Sequence, residues 1–154
     1  MTDIDVESRG PGGSKNLATR HAILENDHAA AWLGIEVHHV ADGHARIAMT
    51  LRREMLNGFG IAHGGMVFAL ADTAFAMACN PAGGSPDTIT VAAGVDINFL
   101  KSGIAGRTLT AVADRRRQAG RSGLYDIVVT QSVPGGDDEV IAEFRGRSRT
   151  VPKR

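Results

Sequence analysis

The middle of the chain is its most hydrophobic part, and residues 64–80 lack the polar stripe that a surface helix normally carries. Apolar side chains here would point in every direction around a helix axis. The run is shorter than a membrane-spanning helix requires, and it contains one acid, Asp72. The pattern therefore predicts a long central helix that other parts of the protein enclose.

Strand patterns lie on both sides of this segment. Before it, residues 35–41 and 44–51 flank Asp42-Gly43, a dipeptide that favours a two-residue hairpin turn. After it, four stretches have strand character, namely 91–99, 106–115, 123–133 and 140–150. Strands in this order predict an antiparallel sheet with helices on one face, and the fold class is α+β. The sheet would curve around the central helix.

The residue pattern of the N-terminal region predicts two further features of the chain. Residues 1–15 are rich in glycine and charge, which is typical of a flexible leader rather than of a signal peptide. Residues 16–32 have helical spacing of apolar positions and precede Gly34, a common helix end. We find no linker or repeat between residues 16 and 154, so this stretch predicts a single domain.

Charge and cysteine content narrow the possible functions. The 17 basic residues balance the 17 acidic ones, and a nucleic-acid binder would need a basic surplus. The one cysteine, Cys79, excludes an internal disulfide and suits a reducing compartment, so we expect a cytoplasmic location and no membrane partner. We interpret Cys79 as a core residue rather than a nucleophile. No third ligand accompanies any histidine pair, and no metal is expected.

Asp72 is the first candidate for chemistry. An ionised carboxylate in an apolar helix is costly unless it is paired or faces a cavity. It could be a structural acid that an arginine or backbone donors hold in place. Alternatively, it is a carboxylate with a tuned pKa in a cleft, as general acid–base chemistry requires. We favour the catalytic interpretation.

The start of the central helix is the second candidate. His63-Gly64-Gly65 stands at a point where backbone amides have no partner within the helix and carry the positive end of its dipole. Glycine lets a ligand approach such amides closely, which suits the oxygen of a polarised carbonyl. The glycines could instead only allow tight packing, and His63 could cap the helix or orient the carbonyl.

The spacing of these two candidates predicts a shared site. Gly64 and Asp72 are eight residues apart, which is about 12 Å along a helix axis. One carbonyl carbon cannot contact both. We therefore expect Asp72 of one subunit to meet Gly64 of another at a homodimer interface.

Segment 56–76 resembles the signature of the PaaI-type hotdog thioesterases of phenylacetate degradation. The positions that carry the resemblance are Asn57-Gly58, His63-Gly64-Gly65 and Asp72-Thr73. The similarity extends over residues 20–150. It implies a hotdog fold, hydrolysis of aryl- or phenylacetyl-CoA thioesters, and a homotetramer of two dimers.

The resemblance also implies roles for individual residues. Asp72 corresponds to the catalytic carboxylate, as nucleophile or as general base on water, and Gly64 to the amide that polarises the carbonyl, with Gly65 beside it. Three further positions shape the site or contact the substrate, namely His63, Asn57 and Thr73. Phe59 departs from the family, where a more polar residue is usual.

Coenzyme A would need cations for its phosphates. Residues 115–121 form a basic strand–turn–strand segment, which could also be a solvated turn. We single out Lys101 and Arg121 as substrate-binding candidates. No separate cofactor is expected, because coenzyme A is part of the substrate.

Two other functions stay open at this point. A hotdog dehydratase or hydratase would pair a histidine with a carboxylate for proton transfer across two carbons, whereas Asp72-Thr73, nine residues after His63, fits a thioesterase better. A non-catalytic acyl-CoA-binding module would have no need of Asp72 in an apolar helix.

Overall fold

A computed structural model describes residues 20–154 of the chain. The predicted leader and the start of the predicted N-terminal helix lie outside these residues. The two helices and six strands are α1 His28–Leu33, β1 Glu36–Ala41, β2 His44–Thr50, α2 Gly64–Cys79, β3 Thr88–Phe99, β4 Thr108–Ala119, β5 Ser122–Gln131 and β6 Glu139–Pro152. Short 3₁₀ turns lie at Ala22–Leu24 and Arg53–Met55.

The strands form one antiparallel sheet in the spatial order β1-β2-β4-β5-β6-β3. The β1–β2 hairpin turns at Asp42-Gly43, as predicted. Strands β4, β5 and β6 are neighbours in chain order, but β3 lies at the far edge beside β6. The chain reaches that edge because α2 runs across the sheet between β2 and β3. The predicted α+β class, with a sheet around one apolar helix, is confirmed.

Helix α2 buries most of its surface against the concave face of the sheet. Its buried residues are Val67, Leu70, Ala71, Ala74, Phe75, Met77 and Ala78. A stripe that includes Gly65, Asp72 and Ala76 is only partly covered. The sheet of one chain therefore encloses the helix incompletely, and the open stripe carries the acid. Within residues 20–154, no helix has both the length and the apolarity to span a bilayer.

A glycine on β6 sets how closely α2 approaches the sheet. The Phe75 ring lies on Gly146, where an added Cβ would be 2.7–2.8 Å from three ring carbons. The same ring packs edge-on against Tyr125, with centroids 5.4 Å apart, and near Phe144 at 6.0 Å. Glycine is required here because any side chain would push the helix off the strand.

The N-terminal helix is shorter than the sequence predicted. A single helix over residues 16–32 is wrong for the described part, since α1 begins only at His28. Asp27 has an extended backbone, and its carboxylate accepts the Ala30 N–H at 2.8 Å, which makes it the N-cap. The helix ends as expected at Gly34, whose φ is 71°.

Strand β3 presents a long open edge. It pairs with β6 on one side, and residues 20–154 supply no partner on the other. Several apolar side chains of this strand are exposed, namely Ile89, Val91 and Phe99. A long apolar edge of this kind is a pairing surface unless another chain covers it.

Candidate active site

The loop before α2 is held in shape by Asn57. The Asn57 backbone N–H donates to the Ile61 carbonyl at 2.8 Å. Its side-chain Oδ1 accepts the N–H groups of Phe59 and Ile61 at 2.9 and 3.4 Å. Because Oδ1 is occupied by these bonds, the Nδ2 group is the part of the amide that could meet a substrate. Phe59 at the tip of this loop is 90 % exposed.

The first turn of α2 leaves one amide without an acceptor. His63 Nδ1 accepts the Gly65 N–H at 2.9 Å, and the His63 carbonyl accepts those of Met66 and Val67 at 2.9 and 3.4 Å. The Gly64 N–H has no acceptor among residues 20–154. Gly64 is therefore the donor that a carbonyl could use, whereas Gly65, which we had grouped with it, serves the helix cap.

The cap also fixes the proton on His63. A backbone N–H can only donate, so Nδ1 must be unprotonated, and the neutral ring carries its proton on Nε2. The side chain is exposed. The structure thus shows the capping role of His63, and the capping ring leaves its Nε2–H free of that contact.

A cleft of about 370 Å³ opens beside this amide. Its lining includes Asn57, Gly64, Val67, Phe99, Lys101 and Gly103. The Phe99 ring lies against the helix start, where an added Cβ on Gly64 would be 3.2 Å from its Cζ. The glycine therefore permits both the contact with Phe99 and the access to its own N–H.

Asp72 lies two turns further along α2, outside that cleft. It is half-buried, and its carboxylate has no hydrogen bond or salt bridge with any residue from 20 to 154. Burial raises the pKa of Asp72 above the usual value of an aspartate. The alternative of a structural acid held by an arginine finds no support in this part of the chain. Beside it, the Thr73 hydroxyl donates to the Ala69 carbonyl at 2.8 Å.

One protomer thus assembles only part of the predicted site. Asn57 and Gly64 line the cleft and His63 precedes Gly64 in the chain, while Asp72 and Thr73 lie on the open stripe of the helix. The axial separation of Gly64 and Asp72 is about 12 Å for the regular helix that is observed.

The two cations predicted for coenzyme A lie at opposite ends of the sheet. The backbone N–H of Lys101 donates to the Ile141 carbonyl, and the backbone carbonyl of Arg121 accepts the Thr150 N–H. Ile141 and Thr150 are nine residues apart on β6, which is about 30 Å. Lys101 lines the cleft and pairs with Glu139 at 3.0 Å. Within one protomer, Lys101 and Arg121 cannot hold the same phosphate.

Cys79 is unsuited to nucleophilic chemistry. Burial raises the pKa of its thiol to about 12, so the thiolate is scarce near neutral pH. This supports the interpretation of Cys79 as a core residue.

A larger cavity of about 670 Å³ lies between residues 20–25 and the turn at Ala82 and Gly83. It contains none of the predicted site residues. We assign the site to the smaller cleft because an available helix amide and a cation line it.

Two polar residues beside the cleft were not identified from the sequence. Gln131 is only 1 % exposed, and Glu139 contacts both Gln131 and Lys101. A signal for Gln131 existed, because it continues the inward-facing series of β5 after Ile127 and Val129. An amide at an otherwise apolar position indicates a built hydrogen-bond network.

The described residues 20–154 form a curved antiparallel sheet around one apolar helix, with an unengaged amide at the helix start and an unpaired acid on its open stripe, which is typical of hotdog-fold enzymes that act on acyl thioesters. Comparison with known families agrees with this class. The chain belongs to the thioesterase superfamily, whose family model matches residues 59–135. The protein is therefore a hydrolase acting on thioester bonds.

Individual relatives refine this assignment. The chain is 43 % identical over 131 residues to the acyl-coenzyme A thioesterase PaaI of Escherichia coli, covering 85 % of this chain and 88 % of that protein. The structure of the E. coli PaaI protein from the phenylacetic acid degradation operon matches with a TM-score of 0.76, at 42 % identity and over 84 % and 88 % of the two chains. The structure of a variant of the phenylacetic acid degradation protein PaaI from Thermus thermophilus matches with a TM-score of 0.70, at 32 % identity. This match covers 80 % of this chain and 98 % of that chain. The resemblance to PaaI-type hotdog thioesterases is confirmed.

Proposed function

We propose that the protein hydrolyses an acyl-CoA thioester to the free acid and coenzyme A. The acyl group is a (hydroxy)phenylacetyl group or a related aryl or medium-chain group. The observation that carries this proposal is the Gly64 N–H, which has no acceptor within residues 20–154 and borders the cleft. Identity to an E. coli acyl-CoA thioesterase over most of both chains supports the choice of substrate class.

In the proposed reaction, the Gly64 N–H and the positive end of the α2 dipole polarise the thioester carbonyl. Asp72 then acts in one of two ways. Its carboxylate attacks the carbonyl carbon, coenzyme A leaves as thiolate, and water hydrolyses the resulting anhydride. Alternatively, Asp72 takes a proton from a water that attacks, and the tetrahedral intermediate expels the thiolate. The thiolate takes up a proton in either case, and the raised pKa makes the carboxylate a stronger base.

The two reacting groups come from different subunits in this proposal. Asp72 lies outside the cleft that holds Gly64, and its stripe of α2 is left open by its own sheet. The open edge of β3 offers a surface on which a second copy could pair. A two-fold axis there would set the two α2 helices side by side, with each Asp72 facing the other Gly64. Two such dimers would form the homotetramer that the likeness to PaaI favours.

Other residues complete the proposed site. The Asn57 amide and the His63 Nε2–H orient the acyl group, and Thr73 contacts the substrate beside the carboxylate. Lys101 and Arg121 attract the phosphates of coenzyme A. Since these two cations are far apart within a protomer, each site would draw them from different subunits.

Release of thiol from purified protein tests the activity. Incubation with phenylacetyl-CoA, hydroxyphenylacetyl-CoA and hexanoyl-CoA should liberate coenzyme A and free acid in equal amounts, followed with a thiol reagent. Enoyl-CoA and 3-hydroxyacyl-CoA form the control panel. Interconversion of those two without thiol release would establish the dehydratase or hydratase instead. Binding with neither reaction would indicate an acyl-CoA-binding module.

Mixed oligomers test the shared site. Asp72→Asn and Gly64→Pro chains, each inactive by itself, are co-expressed in equal amounts with the same tag, and all of the oligomers are purified together. A random mixture should regain about a quarter of wild-type activity, since half of the dimers are mixed and each contains one intact site of two. If each chain kept its own complete site, the mixture would remain inactive.

A further inference from the structure

We propose that Gln131 is a positioning residue that holds the Gly64 amide in place, through the backbone of Gly103. This inference rests on the proposed role of Gly64 as the donor to the thioester carbonyl. Gln131 lies on β5, behind the wall of the cleft, and touches neither the substrate nor α2 in this proposal.

The Gln131 side chain hydrogen-bonds to the backbone of the cleft wall on both sides of Gly103. Its Oε1 accepts the Ile104 N–H at 3.0 Å, and its Nε2 donates to the Ser102 carbonyl at 3.1 Å. The backbone N–H of Ile104 can only donate, so the orientation of the amide is unambiguous. One side chain therefore fixes the peptide groups before and after Gly103, and we call this pair of hydrogen bonds the clamp.

Gly103 connects this clamp to the start of α2. Its carbonyl accepts the Ala62 N–H at 3.0 Å, and Ala62 precedes Gly64 by two residues. The contact is tight, since an added Cβ on Gly103 would lie 2.6 Å from the Ala62 Cβ. A shift of Gly103 would thus pass directly to the peptide that leads into the donor amide.

A carboxylate completes the clamp. The Gln131 Nε2 also donates to Glu139 Oε1 at 2.6 Å, and Glu139 in turn binds Lys101 at 3.0 Å and Arg107 at 3.3 Å. Hydrogen bonds from Lys101 and then Gln131 hold the pKa of Glu139 below its usual value. Glu139 is therefore ionised near neutral pH and anchors the buried amide strongly.

This network is larger than packing alone requires. The side chain of Gln131 makes three hydrogen bonds at a position that an aliphatic residue would fill in the rest of the strand. Buried polar networks fix one backbone arrangement when every member is satisfied. Here the network fixes the backbone that leads to Gly64, the proposed carbonyl donor. Small displacements of such a donor are costly for catalysis.

The variant Gln131→Leu keeps the volume and removes all three bonds. We expect kcat to fall about tenfold or more with little change in KM, because the donor is misaligned in the transition state. The matched control is Asn80→Leu. The Asn80 side chain likewise makes three partly buried hydrogen bonds, all of them to the backbone of Ala76 and Thr90, but at the other end of α2. It should lose thermal stability to a similar extent and keep its kcat.

The carbonyl stretching frequency separates positioning from stability. In the Asp72→Asn background, bound acyl-CoA labelled with ¹³C at the carbonyl should absorb at lower wavenumber than free acyl-CoA. Gln131→Leu should remove at least half of that shift, and Asn80→Leu should leave it intact. A shift that persists fully in Gln131→Leu would overturn the positioning role alone. A missing shift in Asp72→Asn itself would overturn the role of Gly64, and the Gln131 inference with it.

Glu139→Ala provides a second variant if Gln131→Leu does not fold. It removes one anchor of the clamp at a partly exposed position, so the fold should persist. We expect a smaller loss of kcat and of the carbonyl shift in the same direction. An unchanged shift and kcat would overturn the inference.

Discussion

Replacing Asp72 with asparagine is expected to lower kcat at least ~100-fold while the fold and the oligomer are retained. Asparagine preserves the shape of the side chain but can neither attack the thioester nor accept a proton from water. Thiol release at saturating acyl-CoA measures the effect. Asp138→Asn, at an exposed position in the loop between β5 and β6, is the matched control and should keep wild-type turnover.

The turnover of the wild-type protein should depend on the ionisation of Asp72 and therefore on pH. The ionised carboxylate is the active form, so kcat should fall as the pH drops through a pKa above that of an ordinary aspartate. The acid limb should be missing in Asp72→Asn. The free energy of unfolding should rise as the pH drops through the same pKa. A raised pKa means that the ionised form of Asp72 is disfavoured in the folded protein. At neutral pH the asparagine variant should therefore melt at the same or a higher temperature. Unchanged turnover would refute the catalytic assignment, and loss of folding would favour a structural role.

Replacing Gly64 with proline is expected to lower kcat about 100-fold or more relative to Gly64→Ala, because the proposed carbonyl donor is removed. Proline is tolerated at the first position of a helix, and His63 already has the extended backbone that a residue before proline adopts. Both variants add a Cβ near the exposed Phe99 ring, so the comparison excludes that contact as the cause and tests the N–H, whose place the proline Cδ takes.

Circular dichroism and gel filtration check that the two glycine variants share one fold and one oligomeric state. Equal kcat in Gly64→Pro and Gly64→Ala would show that the amide does not act on the carbonyl. A loss of activity common to both would instead point to the contact with Phe99.

Much of the fold could be predicted because local patterns decide it. The helix without a polar stripe and the Asp42-Gly43 turn both follow from neighbouring residues. The position of β3 could not be predicted, since it depends on which way α2 crosses the sheet. The N-terminal helix was overestimated because apolar spacing alone does not show that Asp27 caps a later start.

The site divides in a similar way. Asp72 and Gly64 could be proposed as site residues because a lone acid in an apolar helix and a glycine pair at its start are visible in the sequence. Gln131 was missed because its backbone partners, Ser102 and Ile104, are 29 and 27 residues away along the chain. Lys101 and Arg121 look equivalent as cations in the sequence, and only the register of β6 places them at opposite ends.

The contact between Phe75 and Gly146 restricts how sequences of this fold can diverge. A methyl group on Gly146 alone would displace the ring, at a cost of about 1–3 kcal/mol. A smaller side chain at Phe75 alone would open a cavity that costs up to about 5 kcal/mol. Both changes together would restore the lost volume, so the two positions are coupled. A lineage that alters one is expected to alter the other, and the ring and the bare backbone beneath it would be inherited as a pair.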